Sequence, residues 1–357
     1  LRKHYLDAAA MNVRIYHELA KALKALHQDG IPAILLKGGH LAKLVYENIA
    51  LRPMGDVDLL VREADLPRTE ESLHKIGYLP DPSNVWRTKE HYHRVHSLPA
   101  QPLPGQENEP RVILTLEVHW QIEPPTAPFR IEMDGLWARA RPAMIDDVPA
   151  LLLSPEDLIL HLSLHTAAHH LFSGFGIRPL YDMVETIRHY QGQINWEQVR
   201  DRAHEWGVGN CLYLTLRLVH DLLGAPLPDG LLPTLAVDSF DLRFLTWAEE
   251  HLLAGIGETV DTSVLNNLAQ AWAARGLAAK ALVLLQSFFP SRQRLAQLYS
   301  LPPHSKRLYL YYPVRWKDLL LRYSHTVWRL LRHDKETVAW ADREAERMAL
   351  AKWLASA

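Results

Sequence analysis

A single cysteine, Cys211, stands in a chain of 357 residues. No intramolecular disulfide can form, and no multi-cysteine zinc site can be built. That fits a reducing compartment. Long apolar runs are also missing: nothing approaches the roughly 18 uninterrupted apolar residues that signal a membrane span. A dominant charge is missing too, since 39 Lys and Arg oppose 41 Asp and Glu for a net charge of −2. This argues against a broadly basic nucleic-acid binder and leaves room only for a local basic patch. The first residues hold no short apolar block with a small-residue cleavage site, so a cytoplasmic location is expected. No internal repeat and no long low-complexity tract is evident.

What is present is an ordinary globular composition, 48% hydrophobic and 22% charged, in a length that suits two domains. The N-terminal portion mixes short strand-like and helical segments. Residues 3–29 are predicted as a helix, with Leu6, Ala10, Val13, His17, Ala20, Leu23 and Leu26 on its apolar stripe and Gly30 and Pro32 ending it. Residues 31–37 read as a strand closed by Gly38 and Gly39, with helical spacing resuming over 40–49. Arg52-Pro-Met-Gly55 reads as a turn, and Asp56 to Val61 as a strand. An amphipathic helix follows at 65–76. Two more strands are expected at 91–98 and 111–122, joined by a mobile loop at 99–110. Beyond residue 150 nearly every segment has helical periodicity, starting at Ser154-Pro-Glu-Asp157, where a capping Ser precedes Pro and two acids. The expected architecture is α+β: a small mixed β-sheet with flanking helices over 1–150, then an all-helical accessory region over 151–357.

Three segments carry candidate chemistry. Asp56 and Asp58 are spaced i, i+2, so on a strand their carboxylates share a face while Val57 and Leu59 point to the core. Like charges this close call for a compensating cation, and magnesium suits hard carboxylate oxygens. Lys37-Gly38-Gly39 sits between a strand and a helix, where glycine lets backbone approach a ligand and a helix start favours phosphate. In Thr115-Leu-Glu117-Val-His119-Trp120, alternation puts Glu117 and His119 on one face of an otherwise apolar strand. A charged Glu there needs a reason, and a neighbouring strand bearing Asp56 and Asp58 would supply one. Each pattern taken alone also has a plain structural explanation: solvated acids beside a turn, a strand-to-helix connection, or an edge strand.

In combination, the order Leu35-Leu-Lys-Gly-Gly-His-Leu-Ala42, Leu51-Arg-Pro-Met-Gly-Asp-Val-Asp-Leu-Leu-Val61, Leu116-Glu-Val-His-Trp120, then Leu153-Ser-Pro-Glu-Asp157, the His-bearing helix at 161–170 and Arg178 to Asp182, resembles the bacterial family of uncharacterised nucleotidyltransferases. That NTP-transferase-5 group belongs to the polymerase-β-like nucleotidyltransferase superfamily. The resemblance covers roughly residues 20–210. It implies a nucleotidyltransferase-type sheet and a metal-dependent transfer of a nucleoside monophosphate from a nucleoside triphosphate to an acceptor. By the same resemblance, Asp56, Asp58 and Glu117 would be catalytic and hold Mg2+ or Mn2+, while Lys37, Gly38, Gly39 and Arg52 would contact the nucleotide. His119 and His165 are candidates for the acceptor pocket. A departure is the glycine at Gly39, where the superfamily often has serine.

Two further features stand apart. His161, His165 and His169 recur at i, i+4, i+8, a spacing compatible with zinc but set in an apolar helix that favours packing. His91, His93 and His96 on the expected strand form a weaker set. Residues 305–335 hold eight Lys and Arg against two Asp, with interleaved Tyr and Trp. Such a stretch suits nucleic acid or an anionic membrane surface, or a surface helix that buries its aromatics. The rival functions are therefore a catalytically inactive binding module of the same fold, a toxin-like transferase acting on nucleic acid, and a zinc enzyme on the histidine helix. The acceptor (small molecule, peptide, protein or RNA), the preferred nucleotide and the oligomeric state are not legible in the residues.

Overall fold

The structure is a computed structural model that describes residues 2–81, 92–99, 112–237, 240–253, 289, 295, 309–317 and 335–356. It divides into two compact units, residues 1–240 with 354–357, and residues 241–353. Residues 100–110 of the loop expected at 99–110, His91 and most of the basic stretch 305–335 lie outside the described residues.

The first unit opens with α1, Arg2–Gln28, displaced by one residue from the predicted 3–29. Its buried stripe is different, however: Asn12, Ile15, Tyr16, Leu19, Ala22, Leu23 and Leu26 face inward. Leu6 and Val13, expected on that stripe, are exposed. Two polar residues account for the difference. Asn12 donates to the carbonyls of Ile49 and Arg52, and the Tyr16 hydroxyl donates to the Gly39 carbonyl at 2.9 Å. Buried polar groups are tolerated when their hydrogen bonds are made, so α1 presents these side chains to the connection that leads into the site.

Seven strands form one mixed sheet in the order β3-β4-β5-β2-β1-β7-β6. They are β1 (Ile34–Leu35), β2 (Val57–Leu60), β3 (Leu79–Pro80), β4 (His93–Pro99), β5 (Val112–His119), β6 (Arg141–Ile145) and β7 (Val148–Leu152). The hairpin β6–β7 is absent from the sequence expectation; its turn is Asp146-Asp147, both with positive φ. Through it β7 lies parallel to β1, so the sheet runs on to the cap of the next helix. At the centre β2 and β5 are parallel, with Asp58 opposite Glu117 and Leu60 opposite His119. Antiparallel β4 places His93 opposite His119.

One face of this sheet carries Val57, Leu59, Leu114, Leu116 and Val118, all buried in a core with Leu19, Leu23 and Leu26 of α1 and Leu73 of α3 (Leu66–Lys75). Burying side chains of this size stabilises by about 1.5–3 kcal/mol each relative to exposure. The alternate residues Asp58, Glu117 and His119 occupy the other face.

Helices follow the sheet: α4 (Met133–Arg139) before the hairpin, then α5 (Pro155–Leu164), α6 (Arg178–His189), α7 (Trp196–Trp206), α8 (Gly209–Leu223) and α9 (Leu231–Leu235). As predicted, Ser154 caps α5, its hydroxyl accepting from the Asp157 amide at 3.2 Å. Asp157 is itself fully buried and neutralised by Arg139 at 2.9 Å and Arg202 at 2.7 Å. A helix of the second unit spans Leu242–Leu253, and a helix over Lys335–Leu354 belongs to it as far as Trp353. No helix among the described residues is long and apolar enough to cross a membrane.

Candidate active site

Chain direction creates the site. The expected strand 31–37 is shorter, and helix α2 (Lys37–Leu44) already starts at Lys37. The break falls on Lys37 itself, which has φ of 39°, a left-handed value. For a residue with a side chain this costs of the order of 1–3 kcal/mol and is sustained only where the surroundings hold it. Here the Lys37 ammonium donates to Asp58 Oδ1 at 2.8 Å.

Gly38 and Gly39 therefore form the first turn of α2. A Cβ on Gly39 would stand 3.1 Å from Val57 and 3.2 Å from Leu35, and one on Gly38 would stand 3.3 Å from Met54. Their smallness lets α2 seat directly on β1 and β2. Gly38 lines the cavity described next, and Gly39 lies beneath it against the core.

A cavity of about 360 Å³ opens above the polar sheet face. Its acidic side holds Asp56, Asp58 and Glu117 together with His119. His119 Nε2 lies 3.0 Å from Asp58 Oδ1 and 3.5 Å from Glu117 Oε2. Asp58, Glu117 and His119 each offer a ligand atom, all within 4.8 Å of one another. Asp56 precedes β2 and is exposed at the rim, outside that close group but in the same cavity. The residues fit a divalent cation: two carboxylates supply hard oxygens, and one imidazole adds a nitrogen donor of the kind preferred by transition metals.

Electrostatics separate the two aspartates. Burial alone would raise the Asp58 carboxyl, but the Lys37 charge and the His119 hydrogen bond outweigh it and hold Asp58 well below the usual carboxylate range. Asp56 moves the other way. Although its surface is exposed, the cavity walls remove part of its hydration, and the charges of Asp58 and then Glu117 raise it further. For His119, burial works against the charged form, while the hydrogen bonds to Asp58 and Glu117 raise it above its ordinary value.

Facing the acids is a cationic wall. Arg52 is held by Asp182, its Nε donating to both carboxylate oxygens at 2.7 and 3.0 Å, and the Tyr46 hydroxyl donates to the same carboxylate at 2.7 Å. Arg52 thus makes a structural ion pair and lines the cavity as well. Arg178 and Phe175 complete this side, with the guanidinium 5.0 Å from the ring centroid.

The histidines occupy the remaining wall. They do not form one stripe of a regular helix: α5 ends at Leu164, and His165–His169 is a π-helical turn. The wider turn brings His165 Nε2 to 3.1 Å from His170 Nε2, an i, i+5 pair. His165, His169 and His170 line the cavity, and His169 is hydrogen-bonded to the buried Glu123 carboxylate. His161 is buried outside the cavity lining, with neither ring nitrogen bonded among the described residues. Burial and the charge of Lys37 hold His161 and His165 well below the ordinary imidazole value, so both are neutral. The close metal-ligand group among the described residues includes none of these four histidines.

Every candidate site residue thus lies in or directly beneath one cavity. The sequence assigns no site role to Tyr92, Phe175 or His170, names His169 only in the possible zinc set with His161 and His165, and carries Arg178 and Asp182 only as the ends of a motif. A lysine or arginine immediately before a helix-starting proline, as in Arg178-Pro179, was a usable signal, because a cation is disfavoured at that end of a helix.

Comparison with known families decides the assignment. Residues 1–224 match the family described as uncharacterised nucleotidyltransferase. The chain belongs to this nucleotidyltransferase family. Among solved structures it is similar to an antigenic nucleotidyltransferase-like protein from Paracoccidioides brasiliensis, with 15% identity, a TM-score of 0.38 and coverage of 59% of this chain and 89% of that one. It is also similar to the antibiotic-resistance factor ANT(2'')-Ia, at 14% identity, a TM-score of 0.35 and coverage of 58% and 96%. JHP933 from Helicobacter pylori gives 14% identity, a TM-score of 0.31 and coverage of 70% and 93%. No curated protein matches the chain.

Proposed function

We propose that this nucleotidyltransferase-family protein is a metal-dependent enzyme that moves a nucleoside monophosphate from a nucleoside triphosphate to an acceptor, with Asp58, Glu117, His119 and Asp56 as its metal-binding set. The observation that carries this reading is the convergence of three carboxylates and a cationic wall on a single cavity. A triphosphate of charge near −4 cannot approach three carboxylates without cations between them. Bound divalent metal supplies that charge and polarises the reacting phosphate. Asp58, Glu117 and His119 would hold it, and Asp56, at the rim, would reach the side facing solvent and nucleotide. Magnesium or manganese fits this set.

The chain's own residues then have defined tasks. Gly38 brings the first turn of α2 to the phosphates without a side chain in the way. Lys37 neutralises Asp58 until the nucleotide arrives and is placed to turn to phosphate. The acceptor oxygen forms a bond to the α-phosphorus as the bond from that phosphorus to the bridging oxygen breaks, releasing pyrophosphate. The acceptor proton passes to the Glu117 carboxylate. His165, neutral and on the far wall, faces the acceptor side. In this reading residues 1–150 carry the chemistry and 151–357 are accessory, with the stretch 162–182 closing the cavity. A reaction that draws on a nucleoside triphosphate pool fits the cytoplasm.

The test is calorimetric titration of ATP, GTP, CTP and UTP, with Mg2+ or Mn2+, into the wild-type chain and Asp58→Asn. Metal-dependent binding by the wild type and its loss in a folded variant is the expected outcome. Absence of binding for all four nucleotides in folded wild-type protein would favour an inactive binding module instead.

A further inference from the structure

Three lysine or arginine side chains line the cavity, and their charges are not equally accounted for. Lys37 is paired with Asp58 at 2.8 Å, and Arg52 with Asp182 at 2.7 Å. Arg178 has no carboxylate within ion-pair distance among the described residues. Its guanidinium rests on the Phe175 ring, a contact that orients a cation without neutralising it. Its surroundings are unfavourable to charge: burial, then the like charge of Arg52, lower its affinity for its proton, and Asp182 and Asp56 offset this only in part. Maintaining an unpaired guanidinium in a recess beside a second guanidinium costs stability, so the arrangement points to an anion that completes it.

Position selects the anion. Arg178 belongs with Arg52: the two guanidiniums feel each other's charge, and the acids acting on both are Asp182 and Asp56. The reacting α-phosphate must lie at the acids, where Asp58, Glu117 and His119 gather. The cationic wall beyond Asp56 therefore meets the part of the triphosphate that leaves. Resting on the nucleotidyltransferase reading above, we infer that Arg178 binds the β- and γ-phosphates, so the cavity selects nucleoside triphosphates over monophosphates and holds the departing pyrophosphate.

The experiment is calorimetry with Mn2+ present, using ATP, AMP and inorganic tripolyphosphate as separate probes on wild type, Arg178→Gln and Arg178→Lys, with thermal melts to establish folding. Loss of a charge-assisted, forked contact predicts ATP and tripolyphosphate affinities about 10–100-fold weaker in Arg178→Gln, and AMP affinity within about twofold of wild type. Arg178→Lys keeps the charge without the fork and should fall between them; it serves alone if the Gln variant does not fold. Unchanged ATP affinity, or equal losses for ATP and AMP, would overturn the assignment. If wild type bound tripolyphosphate through Arg178 but bound no nucleotide, the anion site would stand and the nucleotidyltransfer reading would fall. If wild type bound none of the three probes, both would fall.

Discussion

His40 offers a sharp test of how the site is held together. It lies in α2, immediately after the two glycines, and is completely buried. Its Nε2 is 3.0 Å from the hydroxyl of Tyr190, at the end of α6. One imidazole thus ties the helix that starts at Lys37 to the helix that starts at Arg178. Burial, then the nearby His189, pushes its pKa down from 6.5 to about 3. The folded state therefore keeps His40 neutral in a range where the unfolded chain takes up a proton. Stability from this group is fully present above pH 6.5 and is lost progressively as pH falls from 6.5 towards 3. Between pH 7 and pH 5 linkage from this single group amounts to about 2 kcal/mol. For a unit of this size that is a Tm change of about 4–8 °C. His40→Gln preserves a side chain able to bond Tyr190 and removes the titration. Thermal melts of both proteins at pH 7 and pH 5 should show the variant losing about 4–8 °C less than wild type on acidification. Other buried histidines contribute equally to both proteins and cancel. Identical pH sensitivity in the two would refute the buried, neutral assignment.

Two other predictions concern the candidate metal site and the helix beneath it. The nitrogen of His119 among oxygen donors implies tighter Mn2+ than Mg2+ binding; His119→Ala should weaken Mn2+ about 10–100-fold, with a much smaller change for Mg2+, read by calorimetry or Mn2+ spin resonance. Equal losses for both metals would remove His119 from the ligand set. Gly39→Ala places a methyl 3.1 Å from Val57 and 3.2 Å from Leu35, both fully buried. The expected cost is about 1–3 kcal/mol in chemical denaturation; a neutral result would show that α2 has room to rise from the sheet.

Much of the site could be read in the sequence because it is carried by short-range patterns. Glu117, two before His119, declares a shared face through the two-residue period of a strand, and Ser154-Pro155 declares a helix start; the same period brought Asp56 to the cavity of Asp58, although Asp56 precedes β2. The resemblance to nucleotidyltransferases joined these pieces across a separation that no local rule spans. What was not legible depended on tertiary partners. The buried stripe of α1 is turned because Asn12 and Tyr16 find carbonyls to satisfy them, a consequence invisible to hydrophobic spacing. The histidine helix has perfect four-residue spacing in sequence, yet the π turn at His165–His169 re-pairs His165 with His170. The β6–β7 hairpin escaped because Pro142, Pro149 and the Asp146-Asp147 turn resemble a loop before the helical region.

The charges show the same division. The lysines, arginines and acids of the motifs mark a candidate metal and phosphate region, but residue type assigns no partner to any of them. The structure pairs them: Lys37 with Asp58, Arg52 with Asp182, His169 with Glu123. Arg52, expected at the nucleotide, is already committed to Asp182, whereas Arg178, a residue noticed only as part of the family motif, is the cavity-lining arginine left without an acid among the described residues. Residue type therefore located the chemistry, and partner assignment separates the cations that build the cavity from the one poised to meet an anionic ligand. The same logic explains why His119 matters. Sequence places it beside Glu117 on a strand face, but only the parallel register of β2 with β5 brings it against Asp58, where two carboxylates and an imidazole form a group that could hold a metal ion.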